Sequence, residues 1–424
     1  MKTWIAASRV YFERRVFVIL LLGFSSGLPL LLVYSTLSAW LKESDVSLTM
    51  IGLFSWASTA YALKFLWSPL VDKMPLPVLT KWLGQRRSWM VLSQGLIALT
   101  MIGLGGTDPQ VELWWTALWA VLLAFASATQ DIAIDAYRIE SLHEDQLGAG
   151  SANYVFGYRI AMLVAGAGAL FIADGFGWFW AYVAMAGMMA VGLVTVLLSP
   201  EPTRALPEQT NSDPGIWTAI NEAVLSPFID FMGREHWLMI LLFVALYKYG
   251  EALLGVMANP FYLDLGFSKS EIAAISKGYG FTMTLLGGFV GGVLVARYGI
   301  MKALLYAGVL QCVANLAFAA QAMAGYSLPM LALTISIENL TAGMATTAFV
   351  AYMSSLCNVA YTATQFALLS SMMAFARTIF ASGGGWLADH MDWVSYFIVT
   401  TFAAVPGLLV LLWLMKRLPV EEPV

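Results

Sequence analysis

Apolar residues arrive in long unbroken runs along this chain, separated by short polar connections. Runs of spanning length lie at 15-40, 47-70, 87-106, 113-137, 149-173, 178-199, 237-261, 270-296, 301-323, 328-354, 364-388 and 394-415. Each approaches or exceeds the ~20 residues a helix needs to cross the hydrocarbon core of a bilayer. The pattern predicts twelve membrane helices, here called spans 1 to 12 in chain order. The first run follows Arg14 and Arg15, is too long for the apolar part of a signal peptide and ends in SAWL with no small-residue cleavage site, so it reads as a retained helix. The only long polar connection, 200-236, opens with Ser199-Pro200-Glu201-Pro202 and contains Asn211 to Gly215. It divides the chain into six-helix bundles at 1-199 and 237-424, and within it Ile216 to Phe231 reads as an amphipathic surface helix.

Composition narrows the class further. Of 424 residues, 60% are apolar and only 11% charged, with a mean hydropathy of +0.75, which excludes a water-soluble enzyme. The net charge of -4 comes without a basic tail or run, so nucleic acid is not an expected partner. Cys312 and Cys357 have neither metal spacing nor a disulfide framework, and His143, His236 and His390 fall at helix ends, so no metal or cofactor is expected. With the N-terminus inside, 15 Lys and Arg flank the inner helix ends and two, Lys42 and Lys269, the outer ones. This bias predicts cytoplasmic termini and a cytoplasmic central connection.

The halves also repeat one another. Ser47-Leu-Thr-Met-Ile51 matches Ser268-Lys-Ser-Glu-Ile272 at an offset of 221, and Ala173-Asp174 with Trp178 matches Ala388-Asp389 with Trp393 at an offset of 215. An even number of helices separates the copies, so the repeat is parallel, with its axis along the membrane normal. That 6+6 arrangement predicts an all-α membrane protein with the major facilitator transporter fold.

Nine ionisable residues fall inside the runs beyond the two positions at either end: Lys64, Arg159, Lys248, Lys277, Arg377, Asp131, Asp135, Glu251 and Glu338. Unpaired at the bilayer centre they would cost roughly 22 to 32 kcal/mol on the insertion scale, so they pair, neutralise or face water. Asp131 and Asp135 share a face of span 4, and two nearby carboxylates raise each other's proton affinity, as a reversible proton carrier requires. Arg159 lies about 15 Å deep on span 5, a depth from which it approaches Asp131. Lys248 and Glu251 are three apart on span 7, and Glu338 with Asn339 reaches a similar depth on span 10. The functional expectation is a water-filled cavity in which Lys248, Lys277 and Arg377 face substrate carboxylates while Asp131 or Glu338 exchanges protons. Structural ion pairs are the alternative, most directly for Asp135, because Arg138 lies one turn away. Tyr34, Tyr61, Tyr154, Tyr158, Tyr247 and Tyr249 lie near these charges and either stack on sugar rings or pack between helices.

Ser68-Pro-Leu-Val-Asp72-Lys73 and, after an insertion, Gly84-Gln-Arg86-Arg87 resemble a stretched form of the major facilitator loop motif G-x-x-x-D-R-x-G-R-R. The second copy, Gly292-Val-Leu-Val-Ala296-Arg297, carries alanine at the acidic position. Asp72, Lys73, Arg86, Arg87 and Arg297 are thus candidates for a conformational latch, with ordinary positive-inside anchoring the alternative for the bases.

GFSSGLPLLL from Gly23, LKFLWSPLVDK from Leu63, ATQDIAIDAYR from Ala128, GYRIAMLVAG from Gly157, LYKYGEAL from Leu246, ENLTAGMATTAFVA from Glu338 and TATQFALLS from Thr362 resemble the muropeptide permeases of the AmpG family. The resemblance extends over all twelve spans. It implies a proton-driven importer in the bacterial inner membrane that brings N-acetylglucosaminyl-anhydro-muropeptides into the cytoplasm for cell-wall recycling, with a link to β-lactamase induction. It assigns the family's span 4 Asp to Asp131 or Asp135, its span 7 Lys to Lys248 with Glu251 as acidic partner, and its span 10 Glu to Glu338. The substrate-binding set expected on this basis is Lys64, Gln130, Tyr158, Arg159, Tyr247, Lys248, Lys277, Asn339 and Arg377; the proton-coupling set is Asp131, Asp135, Glu251 and Glu338. Some relatives continue past span 12, whereas this sequence stops at Val424, and the insertion Met74 to Leu83 is long. Carriers of siderophores and of acetyl-coenzyme A share the architecture, so another anionic cargo such as an iron-siderophore is the alternative function. A non-transporting sensor or lipid scramblase is the third, opposed by the lack of any loop long enough for an output domain. By analogy with other transporters of this architecture, a monomer in the lipid bilayer is expected.

Overall fold

The computed structural model describes residues 10–46, 50, 51, 54, 57, 59–202 and 225–417, apart from the side chains at 144, 256, 269, 270, 273, 277, 378, 380–383, 385, 386 and 389. All regular structure among the described residues is helical. Eleven helices among them are long and apolar enough to cross a membrane, and they coincide with spans 1 and 3 to 12. Span 2 falls partly outside the described residues; its described parts are Thr59–Leu63, a 3-10 turn at Lys64–Leu66 and a new helix at Ser68–Lys73. The restart has a chemical reason, since Pro69 lacks an amide hydrogen and fits only the first turn of a helix. Within the stretch expected as a surface helix, Ser226–Met232 forms a short helix, while 216–224 lies outside the described residues.

The spans are not uniform rods. Span 1 breaks at Tyr34 between Arg14–Val33 and Ser35–Glu43, and span 7 breaks at Tyr247 and Lys248 between Trp237–Leu246 and Tyr249–Asp264. Wide π turns interrupt span 5 at Val164–Gly168 and span 8 at Ala273–Tyr279. Interrupted helices inside a membrane leave backbone polar groups that need protein or water around them. Lys64 and Lys248 sit at two of these interruptions, so freed backbone groups and side-chain charge occur together.

Packing assigns separate apolar cores to the two halves. Leu28, Trp40, Ile97, Met101, Leu123 and Tyr182 form one in the first half, and Phe261, Phe318, Ile335, Tyr396 and Phe397 one in the second. A further cluster is shared, because Val293, Ala363 and Ala367 of the second half pack with Val16, Val71, Ile132 and Ala149 of the first. These residues lie toward the face where span 1 begins and the central connection attaches. The helix pairs that pack most closely across the halves are span 5 with spans 8 and 10, and span 11 with spans 2 and 4. Ser35–Glu43 and Ala169–Phe176, at the far ends of spans 1 and 5, are not among them. The halves therefore close on the face that carries the two ends of the chain.

Within the first half, spans 1 and 5 touch backbone to backbone. A Cβ on Gly157 would stand 2.0 Å from the Leu20 carbonyl oxygen, and one on Gly23 2.3 Å from that of Tyr154. Small residues four apart let membrane helices approach this closely, so dispersion contacts replace the hydrophobic drive that lipid removes. Gly157→Val is expected to destabilise the protein by about 3 kcal/mol through overpacking, measured as a lower thermal midpoint in detergent; an unchanged midpoint would mean that the two spans part without cost.

Candidate functional site

The closed face is organised around one carboxylate. Asp72, in the last turn of span 2, is 1% exposed. Its Oδ1 accepts from Arg86 at 2.7 Å and from the Ala363 amide at 3.3 Å. Its Oδ2 accepts from the Thr364 amide at 2.7 Å and the Thr364 hydroxyl at 2.6 Å. The carboxylate thus occupies the N-terminus of span 11, where unsatisfied amides and the helix dipole favour negative charge. Arg86 in turn binds Glu140 at 2.6 Å and the Val71 carbonyl at 3.2 Å. One base between two acids leaves a formal charge of -1, and the helix N-terminus, with roughly half a positive charge, offsets part of it.

Of the remaining latch candidates, Lys73 also reaches the second half, while Arg87 bonds within the first. Arg87 donates to the Val196 and Leu197 carbonyls, both at 2.9 Å, and so caps the end of span 6 within its own half. Lys73 lies 5.6 Å from the ring centre of Tyr361, and Arg297 stacks 5.3 Å over Tyr298. Glu201, which the sequence reading does not single out, accepts from the Arg86 amide at 2.7 Å and the Arg87 amide at 3.1 Å, capping span 3. Burial pushes its carboxyl above the usual range, against the pull of those two amides. Gly84 precedes this cap with φ of 87°, and a Cβ there would collide with the Glu201 side chain. Glu140 and Thr364 are equally unforeseen: Glu140 stands among ordinary helix-end charges, and Thr364 acquires its role only when the second half docks.

A second group lies deeper. Asp131 is 8% exposed, and its Oδ1 accepts from the Ser26 hydroxyl at 2.5 Å, which also pairs with the Tyr154 hydroxyl at 2.8 Å. Its charged neighbours are Lys64 and Asp135, with Tyr61 and Tyr158 also facing it. Asp135 is held by Lys64 at 3.5 Å and Arg138 at 3.2 Å, so the structural alternative describes both Asp135 and Lys64 in this conformation. Arg138 is 1% exposed, donates to Ser151 at 3.2 Å, and is sandwiched between Tyr154 at 5.1 Å and Phe366 of span 11 at 5.0 Å. The contact with Phe366, two residues along span 11 from the Thr364 that Asp72 binds, crosses between the halves.

In the second half, Lys248 donates to Glu251 at 2.6 Å and Thr346 at 2.7 Å, and Glu251 also accepts from Gln311 at 2.7 Å. Arg159 from span 5 and Arg377 from span 11 both exert their charge on Lys248. The depth expected to bring Arg159 toward Asp131 therefore also carries it toward span 7. Neither arginine has a carboxylate within salt-bridge distance among the described residues. Glu338 accepts from Asn339 at 2.5 Å, and Asn339 accepts from Thr284 at 2.8 Å, a contact between spans 10 and 8 of the same half. The side chain of Lys277 lies outside the described residues.

Two residues of the expected substrate-binding set bond within their own half. Gln130 is fully buried, exchanging hydrogen bonds with the Ser25 hydroxyl at 3.1 Å and carbonyl at 3.0 Å. Tyr247 is 4% exposed, donates to the Leu304 carbonyl at 2.8 Å and stacks on Phe349 with centroids 5.1 Å apart. Polarity inside an apolar run marks a demand for hydrogen bonds, and neighbouring helices satisfy it here.

Comparison with known proteins places this architecture. The Major Facilitator Superfamily profile matches residues 16–250 and 240–424. Among relatives, the chain is 40% identical over 417 residues to AmpG 4 of Rickettsia felis, covering 97% of this chain and 99% of the relative. It is 37% identical over 406 residues to the anhydromuropeptide permease of Escherichia coli K12, covering 95% of this chain and 80% of that one. The fold resembles solved FucP in the outward conformation, with a TM-score of 0.68 at 14% identity over 96% of this chain and 99% of the other. It also resembles the proton:xylose symporter XylE, with a TM-score of 0.67 at 13% identity over 98% and 96% of the two chains. The chain belongs to the major facilitator superfamily of transporters and, within it, to the AmpG family.

Asp72→Asn preserves shape but removes the charge that Arg86 and the span 11 amides hold. It is expected to weaken the closed face by about 2 kcal/mol, seen by paired spin labels across that face as a new population at longer separation; unaltered distances would dismiss Asp72 as a latch. Tyr247→Phe removes only the bond to Leu304, so a loss of about 1 kcal/mol in stability with an unchanged KM for transport is expected. A raised KM would return Tyr247 to the substrate face.

Proposed function

We propose that this protein is a proton-driven importer of anhydro-muropeptides, carrying them from periplasm to cytoplasm across the bacterial inner membrane for peptidoglycan recycling. The observation that carries this reading is the pair Arg159 and Arg377. They come from opposite halves, both act electrostatically on Lys248, and have no carboxylate in salt-bridge distance among the described residues. Charge of that kind in an apolar layer calls for an anionic guest. A peptide-bearing sugar acid supplies carboxylates for both arginines at once, each suited to the planar guanidinium fork. The name of the Escherichia coli relative supports the choice among anions.

In this reading the bundles 1-199 and 237-424 rock about the guest as a monomer, joined by the linker 200-236, and the positive-inside count makes the closed face cytoplasmic. Cargo then enters from the periplasm. Asp131 and Asp135 balance Lys64 and Arg138 while both acids are ionised. A proton on Asp131, about two turns from Arg138, leaves that group with a formal charge of +1, and through Arg138 the group includes the Phe366 contact that ties the halves. Glu251, already shared by Lys248 and Gln311, and Glu338, bonded to Asn339, are the lesser proton candidates. Import by this route would also deliver the cargo that induces β-lactamase.

The test is uptake of radiolabelled GlcNAc-anhydro-muramyl-tripeptide into proteoliposomes, with the outside acid and with or without a protonophore. Gradient-driven accumulation is expected in the unaltered protein. Asp131→Asn should abolish accumulation against a gradient while leaving insertion and thermal midpoint near normal. Full accumulation by that variant would remove Asp131 from the coupling mechanism, and no uptake by the unaltered protein beside a working control permease would reject the cargo.

A further inference from the structure

The pseudo-symmetric repeat poses a problem on the closed face. On one side Asp72 binds the N-terminus of span 11, but the repeat-related position on the other side is Ala296, which offers no charge to span 5. Spans 5 and 8 nevertheless close tightly there, with Gly148 against Val295 and Gly292 against Ala152. The segment before span 1 contributes a polar contact in the same place. Val10–Phe12 forms a single 3-10 turn whose Tyr11 is 7% exposed.

Tyr11 belongs to the first half and reaches into the second. Its hydroxyl donates to the Phe289 carbonyl of span 8 at 2.7 Å, and its ring lies 4.6 Å from that of Phe289. The slot exists because residue 292 is glycine, since a Cβ there would stand 2.0 Å from the Tyr11 hydroxyl. Asn153 of span 5 fixes the turn from behind by donating to the Tyr11 carbonyl at 3.3 Å and the Val16 carbonyl at 3.1 Å. Tyr11 and Val10 pack in the apolar cluster that also takes in Val293.

We propose that Tyr11, seated in the Gly292 notch of span 8 and braced by Asn153, is the second latch of the closed face, standing in for the acidic residue that the second repeat has lost. It works by a different physics from Asp72. The Asp72 latch is charge against a helix terminus, while the Tyr11 latch is a directional hydrogen bond to a helix carbonyl combined with burial of a ring. Opening this face pulls the turn out of the notch, and the Phe289 carbonyl then returns to bonding within its own helix alone. The inference concerns the gate, and holds whichever solute is carried.

The test uses full-length protein in nanodiscs with Cys312 and Cys357 replaced by Ser and spin labels at the ends of spans 4 and 9 on the closed face. Tyr11→Phe keeps the ring and removes the hydroxyl; a roughly fivefold rise in the ratio of open to closed distances is expected, the effect of one buried hydrogen bond. Tyr11→Ala, which also empties the notch, should shift the ratio further, and Tyr11→Phe combined with Asp72→Asn should open the face more than either change alone. Distance distributions identical to the unaltered protein in both Tyr11 variants would overturn the proposal. The readout needs no cargo, so a failed muropeptide uptake assay leaves this result independent.

Discussion

A charge in a medium of low dielectric constant has to be answered close by, and Asp72 is where this structure meets that requirement most completely. Among the described residues its two oxygens take donors from Arg86 and, in the opposite half of the chain, from the Ala363 amide and the Thr364 amide and hydroxyl. The consequence runs outward from there. Arg86 is held so that it also collects Glu140, Glu201 caps the helix that carries Arg86, and Arg87 ties that helix to the end of span 6. Parting the halves removes the three donors of span 11 together and leaves Arg86 with the carboxylate, so the cost of exposing this buried charge falls on a single step.

The fold was legible because membrane physics leaves little choice. Runs of apolar residues at ~20-residue length can only be helices in lipid, and the Lys and Arg asymmetry orders them. Broken spans were harder to read. Pro69 announces the restart in span 2, but nothing as local marks Tyr34 or the Tyr247–Lys248 step, where tertiary packing supports the interruption.

The site was legible in part. Ionisable residues inside apolar runs stand out in any sequence, so Asp131, Lys248, Glu251, Arg159 and Arg377 were visible, and the loop motif drew attention to Asp72 and Arg86. Their partners were not visible. Ser26 is one of two adjacent serines in an apolar helix, Glu140 looks like any helix-end acid, and Tyr11 precedes the first span entirely; each gains its meaning from a contact more than 50 residues away in sequence. Gln130 and Tyr247 show the opposite case, since both bond within their own half. Gln130 and Tyr247 carry polar groups at the right depth, but depth alone does not say which side of a helix meets the interior of its own bundle.

The backbone contact between spans 1 and 5 makes those two helices a single stiff lever. It carries Ser26 on one member, with Tyr11 in the turn that precedes it, and Gly148, Tyr154 and Arg159 on the other. Gly148 and Arg159 are 11 residues apart, about 16 Å along the axis. With a fulcrum near Arg159, a tilt of about 10° would sweep the Gly148 end through roughly 3 Å while the guanidinium stays nearly still. In that geometry the displacement belongs to the end at Gly148, and the Arg159 end does little more than turn.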